Sequence, residues 1–329
     1  MSDARATAGE TRGTRGRSHA LMDFLMLIAT FSWAANIVAG KLVLHSMSAM
    51  ALAQVRVTGA TILFAIVFFM ARGRAALRLT RREWGFVALT AFVGITLNQV
   101  FFIGGIGRTS AAHSGLLVAL GSVMVLILSC ALRLEPLTLL KTVGAVVSLV
   151  GVGVLAAGKG AHTSGATWLG DMLVLVGSAA FACYTILLKE IADRFDALTI
   201  NTLVFGFGAI FMLPFSVREI ARIHWRSLPA EAWWGMAFMV ILGTLVAYLI
   251  YAFALTELTA SRVAAFGYLQ PVIAAGLGIW LLGEYLTLRI AMGGALILLG
   301  VYLAERQRGE EKLPPRAGEN TPSVPLRTL

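Results

Sequence analysis

The sequence predicts an all-α integral membrane protein of ten transmembrane helices, arranged as two inverted five-helix repeats. Three observations predict it: a composition too apolar for a water-soluble domain, ten apolar runs of membrane-crossing length, and short matches offset by 148 to 150 residues. Hydrophobic residues make up 58% of the 329 positions and charged residues 13%, and the mean hydropathy is +0.82. A soluble domain carries about a quarter charged residues because it has to wet its surface. This chain lacks that material.

The apolar runs are 21–40, 50–71, 84–104, 109–132 and 137–157, then 168–188, 197–217, 232–254, 260–282 and 287–304. A helix rising 1.5 Å per residue needs about twenty residues to cross a ~30 Å hydrocarbon layer. Helices are expected because lipid leaves no partner for exposed backbone groups, and barrel strands would alternate in polarity. Short gaps between runs make neighbouring spans antiparallel. Residues 1–19 are polar and Arg-bearing, and 305–329 are charged and Pro-rich, so both ends read as disordered tails. A cleaved signal peptide is the alternative for residues 1–40. The apolar run there is too long for one and lacks a clear small-residue cleavage site.

The net charge is +10, which raises the possibility of a nucleic-acid partner, but its distribution points to topology instead. Most Lys and Arg fall on the tails and on loops of one side. Arg72, Arg74, Arg78, Arg81 and Arg82 crowd one short loop. Cationic loops stay in the cytoplasm, which places both termini there. Arg218, Arg222 and Arg226 run against this bias. Trp84, Trp168, Trp225, Trp233, Trp234 and Trp280 sit at span ends, as an interfacial belt requires. Cys130 and Cys183 lie inside spans and read as small apolar residues rather than a disulfide.

The matches between halves run the length of the chain. "EPLTL" (135–139) returns as "EYLTL" (284–288), and "DFLML" (23–27) as "DMLVL" (171–175). Lys41 answers Lys189, Trp84-Gly85 answers Trp234-Gly235, and Thr109 answers Thr259. Gly144 and Gly151 answer Gly293 and Gly300. So steady an offset indicates duplication, giving repeats at 21–157 and 168–304. Each repeat holds five spans, and an odd number sends the second copy across the membrane in the opposite sense. Two oppositely oriented halves can form a pocket open to either face at similar energy, which is the basis of alternating access.

Within these repeats, "YLQPVIAAGLGIWLLGEYLTL" (268–288) resembles the signature of the drug/metabolite transporter superfamily, EamA type. Its features are Pro271 in the ninth span and Gly283-Glu284 at its end. "FSWAANIVAGK" (31–41) and "LAQVRVTGATILF" (52–64) resemble the first two spans of that family. The resemblance covers about residues 21–304. It implies an inner-membrane carrier of small organic molecules, often an exporter of amino acids or related metabolites. The first half departs from the pattern, with Gly121 at the position answering Pro271.

A proline in the ninth span removes one helix hydrogen bond and frees the Gly267 carbonyl. Gly267, Gln270 and Pro271 therefore suggest a bend beside a cavity, or a kink that serves only helix fit. Trp33 lies mid-span, with Asn36 one turn later on the same face. Arg56, Asn98 with Gln99, and His113 are also embedded. At helical rise, Asn36, Arg56, Asn98 and His113 all fall within about 6–9 Å of the outer edge. Four polar groups at one depth on four helices suggest a shared wet site, since each costs several kcal/mol in hydrocarbon.

Phe181 and Tyr184 occupy the positions matching Trp33 and Asn36, while Tyr248, with Tyr251 one turn on, replaces Asn98. The expected pocket thus has a cationic, polar outer wall and an aromatic inner wall. Arg56 can hold a carboxylate and the rings an apolar side chain. Equally, Arg56 can bond a backbone carbonyl and order the second span. His113 is either a bond between helices or a pH-sensitive group. Glu135 and Glu284 sit at span ends and read as caps or loop anchors. No Asp or Glu stands in mid-span to relay protons. The glycines of spans five and ten allow close helix contact, within the chain or in a homodimer.

A membrane-embedded enzyme is the alternative, but no G-x-S-x-G, H-E-x-x-H or Cys/His metal spacing is present, and no cofactor or metal is expected. A receptor or scaffold does not account for inverted halves. No G-x-x-x-x-G-K-[ST] loop exists to bind ATP. The expected partners are a small-molecule substrate and the lipid bilayer, with no nucleic acid, and the protein is expected as a monomer or homodimer.

Overall fold

The structure, a computed structural model, describes residues 3–71, 79–134, 136, 138–156, 167–192, 194–258, 263 and 266–305. Arg72, Arg74, Arg78, Glu135, Thr259 and residues 306–329 lie outside the described residues. The helices are α1 (Asp3–Val43), α2 (Ala49–Ala71), α3 (Arg81–Ala91), α4 (Asn98–Ile106), α5 (Ala111–Ala131), α6 (Leu139–Ala156), α7 (Trp168–Ala192), α8 (Ala197–Ala221), α9 (Ala230–Val240), α10 (Ala247–Glu257), α11 (Leu269–Leu282) and α12 (Leu288–Glu305). Strands are absent among the described residues.

Seven described helical segments are long and apolar enough to cross a membrane, and three shorter apolar helices occupy the fifth, ninth and tenth runs of the sequence. The first crossing segment, Leu21–Val43, is the apolar part of α1. The helix also runs back through residues 3–20, where the sequence reading expects a disordered tail. Extending an existing helix needs no new nucleus, and four Ala and four Arg in that stretch favour it against three Gly and three Thr.

Polar side chains set several starts. Thr80 caps α3 in a reciprocal box with Glu83, whose Oε2 accepts from the Thr80 amide at 2.7 Å. Ser110 caps α5 by accepting from the His113 amide at 3.0 Å. Asp196 caps α8 by accepting from the Leu198 and Thr199 amides at 3.1 Å. The ends of α5 and α11 also match: Arg133 (φ 59°) and Gly283 (φ 64°) both turn left-handed. Such residues let the chain double back onto the last carbonyls. The Leu134 amide then reaches the Ser129 carbonyl at 2.8 Å, and the Glu284 amide reaches the Gly278 carbonyl at 3.1 Å.

The helices of one half pack chiefly on those of the other: α6 on α12, α2 on α8, α4 on α7, and α1 on α9 and α10. These contacts exchange between repeats. A Cβ on Gly151 would lie 2.8 Å from the Gly293 carbonyl oxygen, and one on Gly300 would collide with the Gly144 carbonyl. Those four glycines are the two matched pairs of the sequence repeat, so they serve contact within the chain. Ser148 Oγ donates across the same seam to the Ile297 carbonyl at 3.2 Å. Outward faces keep large apolar residues exposed, such as Phe24 and Phe31 on α1 and Val146 and Leu149 on α6. Trp168, Trp234 and Trp280 are likewise exposed.

Candidate functional site

Spans three and eight are not continuous α-helices. Each passes through a π-helical turn, Phe92–Leu97 between α3 and α4 and Ile241–Val246 between α9 and α10. Their third residues, Gly94 and Gly243, are 149 positions apart. A π-turn shifts carbonyls off the regular ladder and often marks a functional site. Here Thr244 Oγ1 donates to the Met239 carbonyl at 2.8 Å. The glycines admit close neighbours. A Cβ on Gly94 would collide with the Tyr184 ring, and a Cβ on Gly243 would lie 2.5 Å from Asn36 Oδ1. Tyr184 and Asn36 are themselves repeat mates, so both contacts belong to one duplicated arrangement.

Beside these turns lies a cavity enclosing about 750 Å³ of space not filled by atoms, measured out to its open mouth. Arg56 forms its cationic wall. It is 3% exposed and donates from Nε to Thr244 Oγ1 at 2.8 Å, from Nη1 to Gln99 Oε1 at 3.1 Å, and from Nη2 to the Gly243 carbonyl at 3.2 Å. Both roles left open by the sequence meet here, since the side chain bonds a backbone carbonyl and also faces the cavity. None of its bonds among the described residues is to a carboxylate. Nη1 and Nη2 each retain a further N–H.

The polar wall continues through Gln99 Nε2, which donates to Asn98 Oδ1 at 3.1 Å, and Asn98 Nδ2, which donates to the Gly177 carbonyl at 2.9 Å. Opposite stand the aromatic rings. Trp33 meets Phe181, Tyr248 and Tyr251 edge-on at centroid separations of 5.7, 5.7 and 5.2 Å. Edge-to-face contacts of this kind hold rings in fixed positions. The Tyr251 hydroxyl lies 2.6 Å from Thr185 Oγ1. Phe205, 149 positions after Arg56, packs on Tyr248 at 4.9 Å, so the cation of one half is replaced by a ring in the other. Two polar atoms of residues lining this space, Asn36 Oδ1 and Ser178 Oγ, are themselves fully buried, with no hydrogen-bond partner among the described residues.

Of the residues singled out in the sequence, Trp33, Asn36, Arg56, Asn98, Phe181, Tyr248, Tyr251 and Gln270 line this cavity, as does Gly121. Two do not. Tyr184 lies behind Phe181, at 5.5 Å between centroids, and beneath Gly94. His113 sits in the first turn of α5, more than a turn from the wall residues Val118 and Gly121. The structure adds Gln99, Ser122, Ser178 and Thr185 to the wall. The three hydroxyl residues carry no distinguishing pattern, because Ser and Thr also sit in membrane helices bonded to their own backbone.

The hinge expectations change form. The 3₁₀ turn Phe266–Tyr268 ends where α11 begins at Leu269, so Pro271 stands in the first turn of a helix. There its missing N–H costs no ladder bond, and the expected kink is a helix start instead. Pro271 packs close on α5, where a Cβ on Gly115 would lie 3.0 Å from its Cα. Gly267 lies beside Ser122. At Gly121 α5 is uninterrupted, because glycine keeps its N–H in the ladder.

His113 belongs to a separate cluster. Its Nδ1 lies 3.3 Å from both carboxylate oxygens of Asp171, and Thr109 Oγ1 donates to Asp171 Oδ1 at 2.5 Å. Nearby, Lys41 Nζ donates to the Thr109 carbonyl at 2.6 Å and pairs with Glu284 at 3.2 Å. The Glu284 carboxylate accepts from the Ala111 amide at 2.8 Å and the Ala112 amide at 3.3 Å. Glu284 thus caps a helix other than its own. On the matching side Lys189 Nζ donates to the Leu255 and Leu258 carbonyls at 2.5 and 3.2 Å.

The model of the EamA-like transporter family matches residues 20–157 and again 168–305. An "Uncharacterized transporter" of Archaeoglobus fulgidus is 29% identical over 286 residues, 86% of this chain and 98% of that protein. A "Probable terminal-alkyne amino-acid exporter" of Streptantibioticus cattleyicolor is 25% identical over 298 residues, 88% of this chain and 97% of that protein. A protein of known crystal structure superposes with TM-score 0.66 at 18% identity, covering 89% of this chain and 99% of that one. That likeness concerns the fold alone.

Proposed function

Since this chain belongs to the EamA-like transporter family, we propose that it is a secondary carrier that exports small organic metabolites, amino acids or related compounds, by alternating access across the inner membrane. The family and its apolar helices make it a multi-pass membrane protein of a transporter family, acting on a small molecule. The finer reading rests on one observation. Arg56, buried and bonded to no carboxylate among the described residues, faces an aromatic wall across a space that Asn36, Asn98 and Gln99 also line.

A buried guanidinium favours an anion, and its free N–H groups suit a carboxylate. The amide side chains of Asn36, Asn98 and Gln99 that line the same space suit a polar group such as an ammonium. Trp33, Phe181, Tyr248 and Tyr251 accept an apolar side chain. An amino acid carries all three groups. The repeat supports the transport cycle: ten spans in two halves of five, termini in the cytoplasm, and two π-turns that allow either half to rearrange about a shared cavity.

Counterflow in proteoliposomes tests this reading, with a mixture of radiolabelled amino acids as the probe. Saturable exchange of unaltered tracer is the expected result, and Asn36→Leu or Asn98→Leu should abolish it while leaving the protein in the membrane. Chemical conversion of the tracer would indicate catalysis instead.

A further inference from the structure

The hydrogen bonds around Arg56 run in one direction, and that direction selects a ligand. We propose that the cavity prefers the 2-oxo acid counterparts of apolar amino acids, carboxylates with an acceptor oxygen where an amino acid carries its ammonium, over the amino acids themselves. The proposal rests on the carrier reading above and deepens it by naming the substrate class.

A carboxamide can donate or accept, so the bonds it already makes decide what it offers a ligand. Arg56 Nη1 donates to Gln99 Oε1 at 3.1 Å, Gln99 Nε2 donates to Asn98 Oδ1 at 3.1 Å, and Asn98 Nδ2 donates to the Gly177 carbonyl at 2.9 Å. Arg56 Nε and Nη2 meet the Thr244 hydroxyl and the Gly243 carbonyl in the same sense. The cation fixes this order. A guanidinium has no acceptor, so the Gln99 amide has to turn its oxygen toward it, and its NH2 then turns the oxygen of Asn98.

Every side-chain oxygen in this relay therefore already accepts, while each terminal nitrogen keeps a second N–H. Arg56, Asn98 and Gln99 all line the cavity, and what they have left to offer is N–H. Asn36 does not reverse this, because its Oδ1 lies against Gly243 and is fully buried. On the ring wall the polar atoms serve one another. The Thr185 hydroxyl donates to the Phe181 carbonyl at 2.9 Å and stands 2.6 Å from the Tyr251 hydroxyl.

Charge points the same way. Among the described residues lining the cavity, Arg56 is the one charged side chain, and it is 3% exposed. A carboxylate without an ammonium brings site and ligand together to neutrality. A zwitterion leaves the buried positive charge uncompensated. Its ammonium is tied by one carbon to the carboxylate that Arg56 holds, so two cations are brought close in surroundings that screen them poorly. An oxo group at that carbon instead accepts from the spare N–H groups beside it. The apolar side chain is left for Trp33, Phe181, Tyr248 and Tyr251 in either case.

The test compares leucine with the 2-oxo acid that has leucine's side chain. Each is radiolabelled in turn, and exchange is measured in proteoliposomes preloaded with the same compound unlabelled. Unlabelled leucine, the 2-oxo acid and the cationic leucine amide serve as competitors. In wild type the 2-oxo acid should halve exchange at a concentration at least tenfold below that of leucine, and leucine amide should not compete. Gln99→Glu sets a carboxylate against Arg56 in nearly the same shape, and should move the preference toward leucine at least tenfold. Leucine competing as well as the 2-oxo acid in wild type, or Gln99→Glu keeping the wild-type preference, overturns the proposal and leaves the carrier reading standing. Exchange of neither compound, nor of the amino-acid mixture, overturns both. The wild-type comparison decides the matter even if the variant fails to fold.

Discussion

Arg56 Nη2 lies 3.2 Å from the carbonyl oxygen of Gly243, so the cation embedded in the second span is bonded to the π-turn of the eighth. Under the proposed carboxylate recognition, a ligand drawn to Arg56 would pull on a turn in the opposite half. Lysine at this position keeps the charge but presents no planar fork, and it cannot meet Thr244, Gln99 and Gly243 together. Each buried partner left unmade costs about 1–3 kcal/mol. Arg56→Lys should lower the exchange rate of the amino-acid mixture at least tenfold, and Arg56→Met more, at unchanged membrane insertion. A wild-type rate in Arg56→Lys would reduce the residue to a diffuse positive charge.

The two π-turn glycines differ in what presses on them. Over Gly94 lies the rigid ring of Tyr184, whereas over Gly243 lies the terminal amide of Asn36. A rigid neighbour cannot yield as a side-chain end can, and overfilling a tight contact typically costs about 1–3 kcal/mol. Gly94→Ala should lower the melting temperature in detergent distinctly more than Gly243→Ala does. The latter should act mainly on transport, by displacing Asn36. Gly153, with nothing near its Cβ position, is the control and should tolerate alanine without change.

Glu284 makes a third test, because it joins three elements at one carboxylate. It sits in the link between α11 and α12, caps α5 and pairs with Lys41 of α1. Losing a cap alone costs about 0.5–2 kcal/mol, and the half-buried Lys41 is left without its ion-pair partner as well. Glu284→Ala should be strongly destabilising in thermal unfolding. Glu284→Gln keeps one acceptor oxygen for the α5 amides and should lose less. Equal losses in the two variants would mean that charge alone, and not the cap, holds the junction.

Much of this was legible in the sequence because the solvent is lipid. Apolar length places the helices, and every polar group left inside a span has to find a reason to be there. That is why Arg56, Asn36 and Asn98 point to the cavity without coordinates. What escaped the sequence depends on local geometry rather than residue type. The π-turns carry no compositional mark beyond a glycine, and the break before Leu269 moves Pro271 from mid-helix to a first turn. Asp171 was visible only as a letter of the repeat. Its partnership with His113 crosses 58 residues and follows from where α5 meets α7, which periodicity does not encode. Glu284 shows the intermediate case: its capping role was expected, but the helix it caps was not.

The proposed inversion of the halves has its own decisive measurement. Arg81 and Glu231 stand 150 positions apart at the starts of α3 and α9, both exposed. If five spans separate the repeats, equivalent positions face opposite sides of the membrane. In a background with Cys130→Ala and Cys183→Ala, a cysteine replacing Arg81 should react with impermeant thiol reagents only from the cytoplasmic side. One replacing Glu231 should react only from outside. The cationic loop bias leads us to propose that Arg81 faces inside, so the experiment fixes orientation and inversion together. Labelling of both positions from the same side would mean that the halves run parallel, and a carrier built on their exchange would have no structural basis.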